Sequence, residues 1–176
     1  MNENSTEETT HPMKKIMISK VVVNIGVGKS GEPLEKAKQA LEELTGQRPT
    51  VRGARKSVRD FGIHKGEPIA AMVTLRREAA LRFMHRTMAA KGNSLKSSSF
   101  DNFGNLSVGI REHIDLPDTK YNPDIGIVGM DVSIALTRPG YAIAKKRIHK
   151  PIGKAHRITK DDAIRFYEKQ FGAVIT

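Results

Sequence analysis

Between Arg52 and Lys65 the chain reads RGARKSVRDFGIHK, which gathers Arg52, Arg55, Lys56, Arg59, His64 and Lys65 around a single acid, Asp60. Gly53, Gly62 and Gly66 punctuate the segment, and apolar stretches flank it, so it reads as a mobile cationic finger held out by an anchored scaffold. Fixed positive charge on an exposed loop is suited to phosphate, because each phosphate it neutralises releases counterions. A merely solvated basic loop accounts for one such run equally well. The second run breaks the tie. Arg138 to Ile158 reads RPGYAIAKKRIHKPIGKAHRI, with Arg138, Lys145, Lys146, Arg147, Lys150, Lys154 and Arg157 and no acid. Two such segments in a chain of formal net charge +11 point to a polyanionic partner. Pro139, Gly140, Pro151 and Gly153 interrupt the second run, so it cannot form the long amphipathic helix suited to a membrane surface. Nucleic acid is the favoured partner, with no membrane.

Other constellations carry less. Gly26, Gly28 and Gly31 spell G-x-G-x-x-G between a strand and a helix, the place of a dinucleotide fingerprint. About twenty residues on, where an acid should meet a ribose hydroxyl, stand Val51 and Arg52. A nucleotide-binding enzyme using the Gly26–Gly31 loop is therefore the weaker alternative, and a flexible loop with Lys29 free to touch phosphate is the plainer reading. The histidines are scattered, without cysteine partners or HExxH spacing, which gives no metal site and no cofactor. Glu42-Glu43 and Asp161-Asp162 fall on helices, and no nucleophile–base pairing supports catalysis. Asn24 and Thr74 each occupy the polar side of an otherwise apolar strand. Small polar groups on a flat sheet can lie against an RNA minor groove, and Gln47 could reach the same surface. Ordinary surface residues are the alternative reading.

The elements that must position these groups are legible from periodicity. Ile16 to Ile25 reads as a strand with Val21, Val23 and Ile25 on one side, Lys20, Val22 and Asn24 on the other, and Ile18 out of phase. Pro33 to Thr45 reads as a helix with the stripe Leu34, Ala37, Leu41 and Leu44, closed by Gly46. A short strand near Thr50 leads into the finger, and Ile69 to Arg76 alternates as a second long strand. Arg77 to Lys91 is helical, with Leu81, Met84 and Met88 on one side and Gly92 as its stop. Ser97 to Gly109 reads as a hairpin about DNFGN. Met130 to Thr137 alternates as the last clear strand. Thr159 with Asp162 resembles a capping box for a terminal helix with Ile164, Tyr167 and Phe171 on one face, ending at Gly172. Alternating strands expose one sheet face, which gives an α+β class: an antiparallel sheet with helices on one face and a protruding basic loop.

Composition bounds the rest. The 176 residues suit one domain, residues 14–176, behind an acidic tail, residues 1–13, that should be disordered. There is no cysteine, which excludes disulfides and thiolate metal sites and suits a reducing, intracellular setting. Aromatic residues make up only 5%, with no tryptophan, which argues against gripping single strands by base stacking. A nonspecific basic RNA chaperone remains a third option.

With these residues in view, the chain resembles the large-subunit ribosomal protein family that binds 5S ribosomal RNA, ribosomal protein L five, over everything after the acidic tail. The marks are VVVNIGVG at 21–28, TGQRP at 45–49, ARKSVRDFGIHKGEPIAAMVTLR at 54–76 and SFDNFGNLSVGIREH at 99–113. GMDVSIALTRPGYAIAKKR at 129–147 adds an ending of archaeal and eukaryotic type. The resemblance implies an antiparallel sheet laid against 5S rRNA in the central protuberance of the large subunit, in the cytoplasm. It implies contacts to that RNA from Asn24, Gln47 and Thr74, and from Arg76, which ends the 54–76 motif. It directs the finger toward P-site tRNA, where Arg55, Lys56 and Arg59 would meet phosphate, with Arg52 at the base. It also implies an intersubunit bridge to a small-subunit head protein, large-subunit rRNA and neighbouring large-subunit proteins as partners. The acidic tail departs from the family's pattern.

Overall fold

The computed structural model describes residues 11–176. In chain order its strands are β1 (Met17–Gly26), β2 (Thr50–Gly53), β3 (Pro68–Leu75), β4 (Ser94–Leu95), β5 (Leu106–Ile110), β6 (Met130–Thr137) and β7 (Val174–Ile175). The helices are α1 (Glu32–Thr45), α2 (Arg77–Ala90) and α3 (Lys160–Phe171). Five strands form one antiparallel sheet in the order β2-β3-β1-β6-β5, and β4 and β7 make a small parallel pair. The α+β class follows directly from this layout. The expected tail falls mainly on residues 1–10, outside the described residues, while Pro12–Lys14 forms a short 3-10 turn.

Strand β1 lies at the centre of the sheet. Val21, Val23 and Ile25 of β1 are buried against the helices, each contributing about 1.5–3 kcal/mol by leaving water. Ile18 is out of phase because the β1–β6 register shifts between Ile18 and Lys20. A bulge of this kind resets which face each side chain meets. On α1, Leu34, Ala37, Ala40, Leu41 and Leu44 are buried, Pro33 sits in the first turn, and Gly46 closes the helix in the left-handed conformation at φ 65°.

Helix α2 differs from the expected stripe. Its buried residues are Ala80, Phe83, Met84, Thr87 and Met88, so the stripe is centred one position before Leu81, which stays exposed. The hairpin expected over 97–109 is also revised. Its first arm is a 3-10 turn, Ser97–Ser99, joined to the second only by a bridge between Phe100 and Leu106, and β5 pairs with β6 instead. The DNFGN turn itself is present: Asp101 Oδ1 accepts from the N–H groups of Phe103 (2.9 Å) and Asn105 (2.7 Å). Gly104 has φ 75°, and a Cβ there would lie 2.7 Å from Ile158 Cγ2, so only glycine lets this turn dock on the start of α3. Thr159 and Asp162 form the reciprocal capping box, with Asp in the place usually held by Glu.

Candidate RNA-binding surface

Both α1 and α2 pack on the side of the sheet that buries Val21, Val23 and Ile25, which among the described residues leaves the other side of the five strands open. Antiparallel partners share a face, so the registers lay out its surface row by row. One row runs Thr50, Met72, Asn24, Asp131, Gly109, and the next runs Thr74, Val22, Ser133, Ser107. Asn24 and Thr74 are thus diagonal neighbours near the middle of the sheet, both half-buried. Arg52, opposite Ala70, points to the same side. Ser107 and Ser133 touch through their hydroxyls at 3.3 Å. Gln47 is exposed beyond Gly46, on the chain leading into β2 from the Thr74 end. Arg76 is exposed where β3 passes into α2.

The finger joins β2 to β3 and is an ordered extension of their ladder. Ala54 and Gly66 continue the pairing through Ala54 N–H to Glu67 O (2.8 Å) and Gly66 N–H to Ala54 O (2.9 Å). Val58 and Ile63 bridge further out, and the 3-10 turn Arg59–Phe61 with Gly62 makes the tip. Gly53 lies so close to Gly66 that a Cβ would stand 2.9 Å from the Gly66 carbonyl oxygen. Glu67 braces the base: its carboxylate accepts from the His64 N–H (2.9 Å) and the Ser30 hydroxyl (3.0 Å). Those two hydrogen bonds, the His64 amide first, hold the Glu67 carboxyl below the usual carboxylate range. Arg55, Lys56, Arg59, His64 and Lys65 all lie along this braced hairpin, with His64 and Lys65 beside Glu67 and Arg59 at the tip.

The second basic segment is a loop pinned at both ends. Arg138 donates to the carbonyls of His156 (3.4 Å) and Arg157 (3.2 Å) and pairs with Asp162 at 3.1 Å. The Tyr141 hydroxyl donates to His156 O (3.1 Å) and accepts from Ile158 N–H (2.8 Å). Between these pins Lys145, Lys146, Arg147, Lys150 and Lys154 are exposed, as is Arg157, which also bonds the Ile152 carbonyl. Arg138 is a correction to the expected phosphate contacts. Its side chain is only 10% exposed, and its charge is spent on Asp162 and the loop ends.

The glycine loop is similarly committed. The N–H groups of Val27 and Gly28, which a phosphate cradle would present, both donate to Ile69 O at 3.0 and 2.9 Å. Lys29 remains exposed beside them. Acids concentrate elsewhere: Glu32, Glu35, Glu42 and Glu43 lie on the outer side of α1, across the molecule from the open sheet. Asp131, which residue type alone does not single out, stands beside Asn24 on that open face. Its signal was present in the alternation of β6, where Asp131 and Ser133 take the polar positions.

An open sheet of small polar groups, a cationic finger between β2 and β3 and a basic loop after β6 are arranged as the motifs require, and matches to known proteins agree. Residues 11–64 match the family model described as ribosomal protein L5, and residues 68–166 match the model of the same ribosomal family's C-terminus. The chain belongs to the ribosomal protein L5 family. Large ribosomal subunit protein uL5 of Nitrosopumilus maritimus is 48% identical over 97% of this chain and 99% of the relative. The uL5 proteins of Sulfolobus acidocaldarius and Pyrobaculum aerophilum are 50% and 51% identical over 93% and 94% of this chain, and over 92% and 93% of their own lengths. As a member of this family the chain is a structural ribosomal constituent in the cytoplasm, not an enzyme, which removes the nucleotide-enzyme alternative for Gly26–Gly31. The two family models meet at the finger, yet β2 and β3 on either side of it pair in one sheet. Among the described residues no helix is long and apolar enough to cross a membrane.

Proposed function

We propose that this large-subunit protein binds 5S rRNA in the central protuberance through the open sheet face, with the finger directed at P-site tRNA. The observation that carries the reading is the uncovered face itself. A sheet with one apolar and one small-polar side needs a partner for the second side only if that side does something, and its side chains suit ribose hydroxyls and base edges. Asn24, Thr74 and Gln47 would make the polar contacts, with Arg52 and Arg76 at the margin.

The two basic segments leave the sheet at opposite ends. The finger departs where Gly26 pairs with Ala70, and the loop departs where Met17 pairs with Thr137. A ten-residue strand separates those ends by about 30 Å, so the charges bracket the face instead of covering it. Lys29, Lys145, Lys146, Arg147, Lys150, Lys154 and Arg157 would hold rRNA phosphates. Arg55, Lys56, Arg59, His64 and Lys65 would serve the tRNA, with Arg52 at the base of the finger. A contact with the small-subunit head in an intersubunit bridge belongs to the same reading and carries no residue assignment.

Competition binding tests it. Labelled 5S rRNA is titrated with the purified protein at rising salt, against excess bulk tRNA. Structure-specific recognition predicts a complex that survives both the competitor and physiological salt. A complex that collapses under both would reduce the protein to a nonspecific basic RNA chaperone.

A further inference from the structure

Among the described residues, Asp131 is the one acid on the strands of the open sheet face. The other charged side chains there, Lys20 and Arg52, are basic, and the rest are uncharged. Asp131 is exposed, it stands directly across from Asn24 on one side and Gly109 on the other, and among the described residues no cation pairs with it. Gly109 lays no side chain over it; a Cβ there would sit in ordinary contact, 3.6 Å from the Asp131 Oδ1. A carboxylate facing a polyanion is repelled by every phosphate, and it accepts hydrogen bonds but donates none. It is compatible with RNA only where the RNA presents donors. In a minor groove those donors are the guanine 2-amino group and the ribose 2′-hydroxyl.

Resting on the reading of this face as the RNA-binding surface, we propose that Asp131 is its specificity-determining residue and accepts a hydrogen bond from a guanine 2-amino group. The surroundings fit that task. Asn24, Ser107, Ser133 and Gly109 are small, uncharged neighbours, so this end of the sheet reads hydrogen-bonding pattern where the finger and loop read charge. The carboxylate also excludes RNA that brings phosphates to the same spot, which is discrimination by repulsion.

The test uses the full chain, 5S rRNA, and 5S rRNA carrying inosine at single guanosines of the protein-protected stretch, since inosine lacks only the 2-amino group. The wild type should lose about tenfold in affinity at one inosine position. Asp131→Ala, which has no acceptor, should lose the discrimination at that position while binding bulk tRNA as tightly as the wild type or more tightly. An unchanged circular-dichroism spectrum checks that the variant is folded, and Asp131→Asn, which keeps an acceptor oxygen but loses the charge, should keep the discrimination while gaining bulk-tRNA affinity. Asp131→Ala retaining the discrimination, or a wild type indifferent to every inosine, would overturn the proposal while Asn24→Ala still weakened 5S binding. If Asn24→Ala also left 5S affinity unchanged, the reading of the face would fall, and the role of Asp131 with it.

Discussion

Tyr167 shows how far a single residue's chemistry can be followed. It is fully buried, with its ring edge-on to Phe100 at 5.6 Å and close to Phe166 and Phe171. Among the described residues its hydroxyl has no hydrogen-bond partner, and burial pushes the phenol above its ordinary range. An orphaned buried hydroxyl is a cost, while the ring supplies much of the apolar area at this end of the core. Tyr167→Phe should therefore leave stability unchanged or raise it by about 1 kcal/mol. Tyr167→Ala should cost about 3–5 kcal/mol. Urea unfolding distinguishes the two, and a clear loss in the Phe variant would mean the hydroxyl is satisfied after all. Arg138 teaches a complementary lesson. Among seven basic residues in one run it looked like the others, because its partner Asp162 lies 24 residues away and nothing local announces the pair.

At the scale of elements, the finger was legible as a basic, glycine-punctuated segment but not as a braced hairpin. Its brace depends on Glu67 meeting Ser30 across 37 residues, a contact no local pattern encodes. Glu67 titrates below the usual carboxylate range in the folded chain, so its contribution is present at neutral pH and disappears as pH falls through that lowered value. Glu67→Gln removes the charge while keeping the shape. Amide protection of Ala54, Lys65 and Gly66 should drop in this variant at neutral pH, and the wild type should approach it only in acid below the carboxylate range. Equal protection in both proteins at neutral pH would remove Glu67 from the account. The strands and helices with clean periodicity were all readable, and the misses share one cause. Leu81 and the arms of the 97–109 segment each depend on a register or a rotation set by a neighbouring element. The two-residue strands β4 and β7 are too short to carry any period.

At the scale of the molecule, charge and shape are divided between two sides. The carboxylates of α1 line the helical back, where Glu32 and Glu35 pair with Lys36 and Lys38, while the strands of the open sheet carry Asp131 alone among the described residues. The basic segments extend from opposite ends of that sheet, so long-range attraction and short-range reading are done by different residues. This division was half visible in the sequence: the basic runs and the alternating strands could be read, but which strands neighbour one another could not. The order β2-β3-β1-β6-β5 is what brings Asn24 between Thr74 and Asp131. The measurement that tests the central claim most directly compares two triple variants in the 5S rRNA competition assay across salt. Replacing Asn24, Gln47 and Thr74 with alanine should lower 5S affinity by about tenfold or more, with the salt slope unchanged and bulk-tRNA binding intact. Replacing Arg55, Lys56 and Arg59 should spare the preference for 5S rRNA and reduce the salt slope by about one unit at most for each phosphate no longer neutralised. Undiminished 5S affinity and preference in the Asn24, Gln47 and Thr74 variant would contradict recognition by the open sheet.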